Sequence, residues 1–324
     1  MDAFRAKVID FATQTLQFDD CRFTDPFLGE QRLDAYRQWL AEGRHGDMKY
    51  LEEHLKFKED PNLLLSGVKS AIVLIKNYKN TPIRQLTDEF KIARYAVGKD
   101  YHTVIKERLE KIVDFLKNED PEVRCYLGVD SRPIAERSLA LKAGIGFRGK
   151  NTMVIKPGLG SYFFIGVILT TYAFDEDQPL QWNCGECRLC LDACPTQAIT
   201  APYQIDSTRC ISYLTIEQKN ALTPEELKQT KGWLFGCDIC QEVCPYNHGH
   251  TPLTSWKEFL PKAGVGFGFF KKDPEDKNES DIPQGTPLYR SRKRLIPNWQ
   301  ALNRSGSGQA LHHHGAGQAA HRQG

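Results

Sequence analysis

The chain reads as an α+β protein, an N-terminal α/β sandwich followed by a smaller module of short helices. Three observations predict this. Up to about residue 175, helix-period and strand-like runs alternate. The acidic stretch Asp175, Glu176 and Asp177 then marks a boundary. Beyond it, eight of the ten cysteines fall between Cys184 and Cys244, so thiol chemistry dictates the path of the chain. The expected domains are 1–175, 176–260 and a basic C-terminal segment, 261–324.

Taken in order, Phe4, Val8, Phe11, Ala12 and Leu16 fall at helical spacing and predict an amphipathic first helix. A second runs over 29–42, carrying Leu33, Tyr36 and Leu40, and ends at Gly43. The glycine- and charge-rich segment 43–51 is a candidate binding loop in which His45 alone requires no special role. The run SAIVLIKNY, 70–78, is a buried strand, 92–97 a second and 123–129 a third. Between the last two, Asp100-Tyr101-His102 opens a helix whose inner stripe is Val104, Ile105, Leu109, Ile112, Val113 and Leu116. Asp130 ends the third strand, and Pro133 starts a helix that stops near Gly144. From its neighbours alone, Asp130 is a cap-like carboxylate held by backbone N–H groups.

The segment GIGFRGKN, 144–151, is glycine-dense and carries two cations, which suits close backbone approach to an anionic ligand. It is not a P-loop, because Lys150 is followed by Asn151. Strands over 152–155 and 162–172, joined by Pro157-Gly158-Leu159-Gly160, predict a hairpin. After Pro261 come a Gly-Phe run, the charged stretch 271–281, and the cations Arg290, Arg292, Lys293 and Arg294. A polar tail from Ser305 reads as disordered.

Cys184, Cys187, Cys190 and Cys194-Pro195 follow the pattern C-x2-C-x2-C-x3-C-P, in which three thiolates wrap one iron–sulfur cube and the fourth reaches its neighbour. A second run, Cys237, Cys240 and Cys244-Pro245, has Leu234 where a first cysteine belongs, and Cys210 is the nearby thiol free to replace it. The predicted partition is crosswise. Cys184, Cys187, Cys190 and Cys244 hold one [4Fe–4S] cluster, and Cys194, Cys210, Cys237 and Cys240 hold the other, leaving Cys21 and Cys125 over. This makes the second module ferredoxin-like. Structural zinc takes cysteines two by two and would not use the triplet 184, 187 and 190. Disulfides need an oxidising compartment, and no export signal is visible.

Hydrophobic residues make up 40% of the 324, with 25 glycines, a globular composition. The net charge of +2 falls short of a dedicated nucleic-acid module, although a local basic face is compatible with it. The N-terminus has no hydrophobic signal region and no run approaches the roughly 20 apolar residues of a spanning helix, so the expected location is the cytoplasm, without membrane contact.

Asp130 after a strand, GFRGKN, CGECRLCLDACPTQAI, RCISYLT and GCDICQEVCP together resemble epoxyqueuosine reductase, from about His45 to about Arg294. The resemblance implies a cobalamin-binding first domain and reductive deoxygenation of epoxyqueuosine to queuosine at the wobble position of the tRNA anticodon. It implies that the two clusters pass single electrons to cobalamin and that Asp130 supplies a proton to the departing oxygen. Positions matching Lys58, Asp130, Lys150, Asn151, Ser212 and Asp238 are expected to line the corrin. Lys58 stands where relatives carry arginine, losing a bidentate fork. A general acid at neutral pH calls for a raised pKa, which burial beneath the cofactor would supply. His102 is not expected to bind cobalt, because Ile105 replaces the glycine of the mutase D-x-H-x-x-G motif. Relatives continue into helical repeats past a segment like GTPLYRSRKRLI, whereas this chain turns polar after Leu302.

The resemblance further implies tRNA bearing epoxyqueuosine and an external donor of flavodoxin or ferredoxin type as partners, with the protein a monomer. Candidate phosphate contacts are Arg94, Lys99, Arg148, Lys150 and 290–294. Two other classes share features with the chain. A reductive dehalogenase also joins cobalamin to two clusters, but typically carries a twin-arginine signal. A ferredoxin-type electron shuttle needs no α/β domain with a glycine-rich loop.

Overall fold

The structure is a computed structural model and describes residues 3–80, 90–262 and 281–304. Eleven α-helices are present among the described residues: α1 (Ala3–Asp10), α2 (Glu30–Ala41), α3 (Tyr50–Glu59), α4 (Tyr101–Glu119), α5 (Glu136–Lys142), α6 (Leu189–Asp192), α7 (Ile211–Ile216), α8 (Pro224–Gln229), α9 (Ile239–Glu242), α10 (Pro287–Arg290) and α11 (Arg292–Arg304). The strands are β1 (Asp20–Thr24), β2 (Ser70–Asn77), β3 (Lys91–Ile92), β4 (Cys125–Gly128), β5 (Phe147–Arg148), β6 (Val154–Ile155), β7 (Phe163–Thr170) and β8 (Trp233–Phe235). The result is a mixed α/β chain.

Its centre is a four-stranded sheet in the order β1-β2-β7-β4, every neighbouring pair antiparallel. All eight residues of β2 are buried, which is why SAIVLIKN has no polar alternation. Side chains still point to opposite faces in turn. Ile72, Leu74, Phe164 and Ile168 join a core with Val8, Ile105, Leu109 and Ile112 of α1 and α4. Ala71, Val73, Ile75, Phe163, Val167 and Leu169 join a second with Leu139 and Leu141 of α5. Gly166 of β7 lets α4 settle close, since a Cβ there would meet Ile105 and Leu109 at 3.1 Å.

Several expectations are corrected. The 152–155/162–172 hairpin does not form. Both edges of β7 are taken by β2 and β4, and β6 pairs instead with β5. The strand expected over 92–97 stops at Ile92, because Arg94–Ala96 turns into a 3-10 helix whose Arg94 N–H donates to Asp238 Oδ2 at 2.8 Å. The first helix gives way to a π-helical turn over Phe11–Thr15, the segment 43–51 runs into α3, and α5 starts at Glu136 rather than at Pro133. The strand β1 has no counterpart in the sequence reading. Its charged residues hide it, with Asp20 salt-bridged to Lys156 at 2.6 Å and to Arg22 at 3.2 Å.

The segments expected to be separate are stitched together. β3 pairs in parallel with β8, which lies between Cys210 and Cys237 in the other half of the chain. Around that pair Phe90, Ile92, Leu234 and Phe235 pack with Leu288, Leu295, Trp299 and Leu302 of α10 and α11. The C-terminal segment thus contributes to a core up to Leu302, and the polar tail and most of 271–281 lie outside the described residues. No helix among the described residues is long and apolar enough to cross a membrane.

Trp299 is 1% exposed, so Trp299→Ala removes a filled core position. It is expected to destabilise the fold by about 3–5 kcal/mol in urea unfolding. A loss below about 1 kcal/mol would show that α11 is not part of the core.

Candidate active site

The two cysteine runs fold into matching turns, each followed by a short helix, and these helices, α6 and α9, pack on each other. Which thiols sense one another defines two groups. Burial, then Cys184, Cys244 and Cys187, push the Cys190 thiol up to about 11. Burial also raises Cys244, which again feels Cys184 and Cys187. On the other side burial raises Cys237 and Cys210, with Cys237 sensing Cys210 and Cys194, and Cys210 sensing Cys194. Burial raises Cys240 too, through Cys237 and Cys210, and its weaker sensing of Cys190 sets the groups side by side. All ten cysteines are unpaired thiols. No group of His, Cys, Asp or Glu among the described residues closes on a single metal ion.

Backbone N–H groups aim at the sulfurs and favour thiolates. Lys150 N–H reaches Cys184 Sγ at 3.4 Å and Ala198 N–H reaches Cys194 Sγ at 3.3 Å. Amides of Ser212 and Tyr213 serve Cys210, that of Ile239 serves Cys237, and those of Tyr246 and Asn247 serve Cys244. Such donors suit anionic clusters, so the thiols present fit two of them.

The glycine-dense loop has a different task from the one expected. A Cβ on Gly144 would run into Gln178, and one on Gly146 into Ile155, so both glycines serve packing against the protein itself. Lys150 Nζ donates to Gly185 O at 2.6 Å, and Asn151 Nδ2 to Cys240 O at 3.2 Å. The loop therefore grips both cysteine runs. Asp238, 2% exposed, is similarly engaged: besides accepting from Arg94 N–H, its buried carboxyl is pushed up to about 7 by burial. Asn151 is 3% exposed and Ser212 half-buried.

Lys58 and Asp130 share a neighbour, Glu136. Burial lowers Lys58 to about 8, with Glu136 and Arg137 as its charged neighbours. Glu136 is itself pushed up to about 8 by burial and then by Asp130, whose N–H it accepts at 2.5 Å. Arg148, lowered by burial, faces Arg137 and Arg32. The surroundings are cationic and aromatic, with Tyr36 under Lys58 at 5.6 Å, which suits a large group bearing phosphate and amides. In this respect the residues present fit cobalamin.

Asp130 is no helix cap. It is the central residue of a γ-turn, with φ 57°, closed by Ser131 N–H to Val129 O at 2.6 Å. This conformation is strained for a residue with a side chain, and such strain clusters at active sites. The side chain is 62% exposed. Its Oδ2 accepts from Tyr101 Oη–H at 2.6 Å and stands 3.1 Å from His102 Nε2. Burial opposes its charge, but His102, Tyr101 and Arg290 hold the carboxyl below its ordinary range, the reverse of the raised pKa expected of a lone acid.

Sequence reasoning missed Tyr101, His102 and Glu136. The signal for the first two was Asp100-Tyr101-His102 at a helix start, set aside when its match to a cobalt-binding motif failed. Tyr95 links this site to the second thiol group. Its ring centre lies 6.2 Å from Phe235, two residues before Cys237, and 6.1 Å from Tyr101. Of the phosphate candidates, Arg94 is taken up internally, its Nη1 donating to Asn80 O at 2.6 Å. Arg290 is exposed, beside Asp100, Asp130 and Glu217, while Arg294 Nη1 holds Lys219 O and Asn220 O at 3.1 and 3.2 Å.

Comparison with known proteins bears on the whole chain. Residues 183–247 match the 4Fe-4S double cluster binding domain, and residues 58–131 match the family described as epoxyqueuosine reductase QueG, DUF1730. An epoxyqueuosine reductase of Leadbetterella byssophila is 40% identical over 251 residues, 77% of this chain and 82% of that protein. This chain belongs to the epoxyqueuosine reductase family. Another family member, from Cyclobacterium marinum, is 38% identical over 261 residues, 80% of this chain and 84% of its own. The fold agrees with a crystal structure of epoxyqueuosine reductase holding an epoxyqueuosine-modified tRNA-Tyr stem loop, at TM-score 0.80 and 28% identity, covering 95% of this chain and 83% of that one. A Bacillus subtilis epoxyqueuosine reductase whose catalytic aspartate loop is swung out of the active site agrees equally, at TM-score 0.80. Family membership makes the chain an oxidoreductase with two [4Fe–4S] clusters and cobalamin as cofactors.

Asn247 clasps the sheet to the cysteine module. Its Oδ1 accepts Ser161 N–H at 2.7 Å, and its Nδ2 donates to Ser161 Oγ at 2.9 Å and Gln241 O at 2.8 Å. Asn247→Ala leaves buried partners unmet and is expected to cost about 1–3 kcal/mol in thermal or urea unfolding. It should also speed iron loss to a chelator. Unchanged stability and unchanged iron loss would mean that the clasp does not hold the module.

Proposed function

We propose that the chain reduces epoxyqueuosine to queuosine in tRNA, with Asp130 as the proton donor at the departing oxygen. The observation that carries this reading is the strained γ-turn of Asp130, held by Tyr101 and His102 and linked through Tyr95 and Phe235 to the second thiol group. Cys184, Cys187, Cys190 and Cys244 hold one cluster, and Cys194, Cys210, Cys237 and Cys240 hold the other. The mutual influence of the thiols within each group supports that partition. Residues 1–175 form the cofactor and substrate domain, 176–260 the cluster module, and 261–324 a basic segment.

Cobalamin, when bound, supplies two electrons at one centre where clusters deliver them singly. Lys58 would offer a cation to its polar groups, and Ser212 and Lys150 would hold it beside the cluster ligands. Asn151 and Asp238 act one layer deeper, through Cys240 and Arg94. The substrate is a tRNA anticodon stem loop, as held by the relative of known structure. Arg290 and Arg148, both exposed, are its phosphate contacts, and binding weakens with salt.

The test is anaerobic. Reconstituted protein, cobalamin, a strong reductant and tRNA bearing epoxyqueuosine are combined, and the nucleosides are identified by mass. Conversion that requires cobalamin and falls by a factor on the order of 100 in Asp130→Asn is expected. Full activity in Asp130→Asn would remove Asp130 from the role, and no conversion by loaded, tRNA-bound protein would overturn the whole reading.

A further inference from the structure

Removing an epoxide oxygen as water takes two electrons and two protons. Both C–O bonds break, the C=C bond forms, and both protons end on the oxygen. The clusters and cofactor provide the electrons. Asp130 holds one proton at a time, and it stands ionised between two donors, so a source must refill it twice per turnover.

Two side chains among the described residues are in direct reach of Asp130 Oδ2, Tyr101 and His102. Burial holds the Tyr101 phenol well above its ordinary value, so it keeps its proton and His102 is the source that can give one up. His102 Nδ1 lies 2.6 Å from Asp100 Oδ1, and its Nε2 lies 3.1 Å from Asp130 Oδ2. Two carboxylates can only accept, so satisfying both contacts puts a proton on each ring nitrogen. The ring is fixed by stacking on Tyr101, centroids 4.0 Å apart, and by Asp100, the N-cap of α4, which also accepts His102 N–H at 3.0 Å. With a side chain 18% exposed, His102 can exchange protons with water. We propose that Asp100, His102 and Asp130 form a relay in which His102 passes each of the two protons to Asp130 Oδ2 and regains it from solvent.

The inference rests on Asp130 being the proton donor. In each step the Nε2–H bond breaks, an Oδ2–H bond forms, and the imidazole is left neutral with Nδ1–H still donated to Asp100. Asp130 then yields the proton to the substrate oxygen. His102 acts through Asp130, so it is a positioning and refilling residue. The groups facing the relay are Tyr50, Tyr95 and Tyr101, Arg290 beside both aspartates, and Glu136 and Glu217 beside Asp130. Burial disfavours the imidazolium, but hydrogen bonds to Asp100 and Asp130 outweigh it and set the His102 pKa above its ordinary value.

Two measurements test the relay. In the first, the histidine side chains of the full chain without cobalamin are titrated by NMR, with His102 assigned from His102→Gln. The His102 ring is expected to titrate above the ordinary value of about 6.5, and to move down in Asp130→Asn and in Asp100→Asn. A ring at or below the ordinary value, unmoved by either substitution, overturns the relay whether or not the protein is active.

In the second, single-turnover conversion of epoxyqueuosine tRNA is followed against pH. His102→Gln is expected to be slower by a factor on the order of ten or more at pH 8, with the deficit shrinking towards pH 6 as solvent protonates Asp130 directly. Asp100→Asn, which keeps the ring, should move the alkaline limb to lower pH. A deficit equal at every pH would show a structural role only. If wild type converts and both variants keep its profile, the relay falls while Asp130 stands; if wild type does not convert, the assigned reaction itself fails.

Discussion

The fold around the cysteines is what the proposed crosswise partition requires, in which neither cysteine run closes a cluster by itself. Cys244, at the end of the second run, has Cys184 and Cys187 as neighbours, and Cys237 has Cys194 and Cys210. In that partition the second run needs Cys210, which the segment between the runs carries in. There α7 packs against β8, and β8 draws β3 across from the first half of the chain. The glycine-dense loop closes the arrangement from the other side, bonding through Lys150 and Asn151 to the two runs in turn.

The proposed chemistry sits on the same scaffold, joined to the second thiol group through Tyr95 and Phe235. The central sheet is buried on both faces, and Asp130 follows directly from its edge strand β4 in a backbone conformation that costs on the order of 1–3 kcal/mol. What holds it there comes from two different elements: Glu136 at the start of α5, and Tyr101 and His102 in the first turn of α4. In the Bacillus subtilis relative the catalytic aspartate loop is swung out of the active site. The side chains that hold Asp130 decide where the proton resides, because a carboxylate with two donors on one oxygen is a poor place to store it and an imidazole between two carboxylates is a good one.

Much of this was legible from the sequence, for identifiable reasons. Cysteine spacing is local and nearly independent of context, so the two runs and a double-cluster module could be read directly. The apolar runs of β2 and β7 and the inner stripe of α4 were equally plain, because burial on both faces or on one stripe leaves a direct mark on composition. The pairing of β6 was not, since it depends on β7 having both edges occupied by distant strands. Nor was β1, where Asp20 and Arg22 disguise a strand whose charges are neutralised by partners far along the chain. The role of His102 stayed hidden because it arises only when Asp130 is brought within reach from 28 residues away.

The crosswise exchange of thiols is the central claim, and pairwise cysteine replacement reads it most directly. Iron is counted after anaerobic reconstitution of Cys194→Ala/Cys237→Ala and of Cys194→Ala/Cys184→Ala. With Cys194 serving the cluster of Cys237, the first variant strikes one cluster twice and keeps about four irons, while the second strikes both and keeps close to none. The reverse result, about four irons in the variant lacking Cys194 and Cys184, would contradict the account and return each run to a cluster of its own.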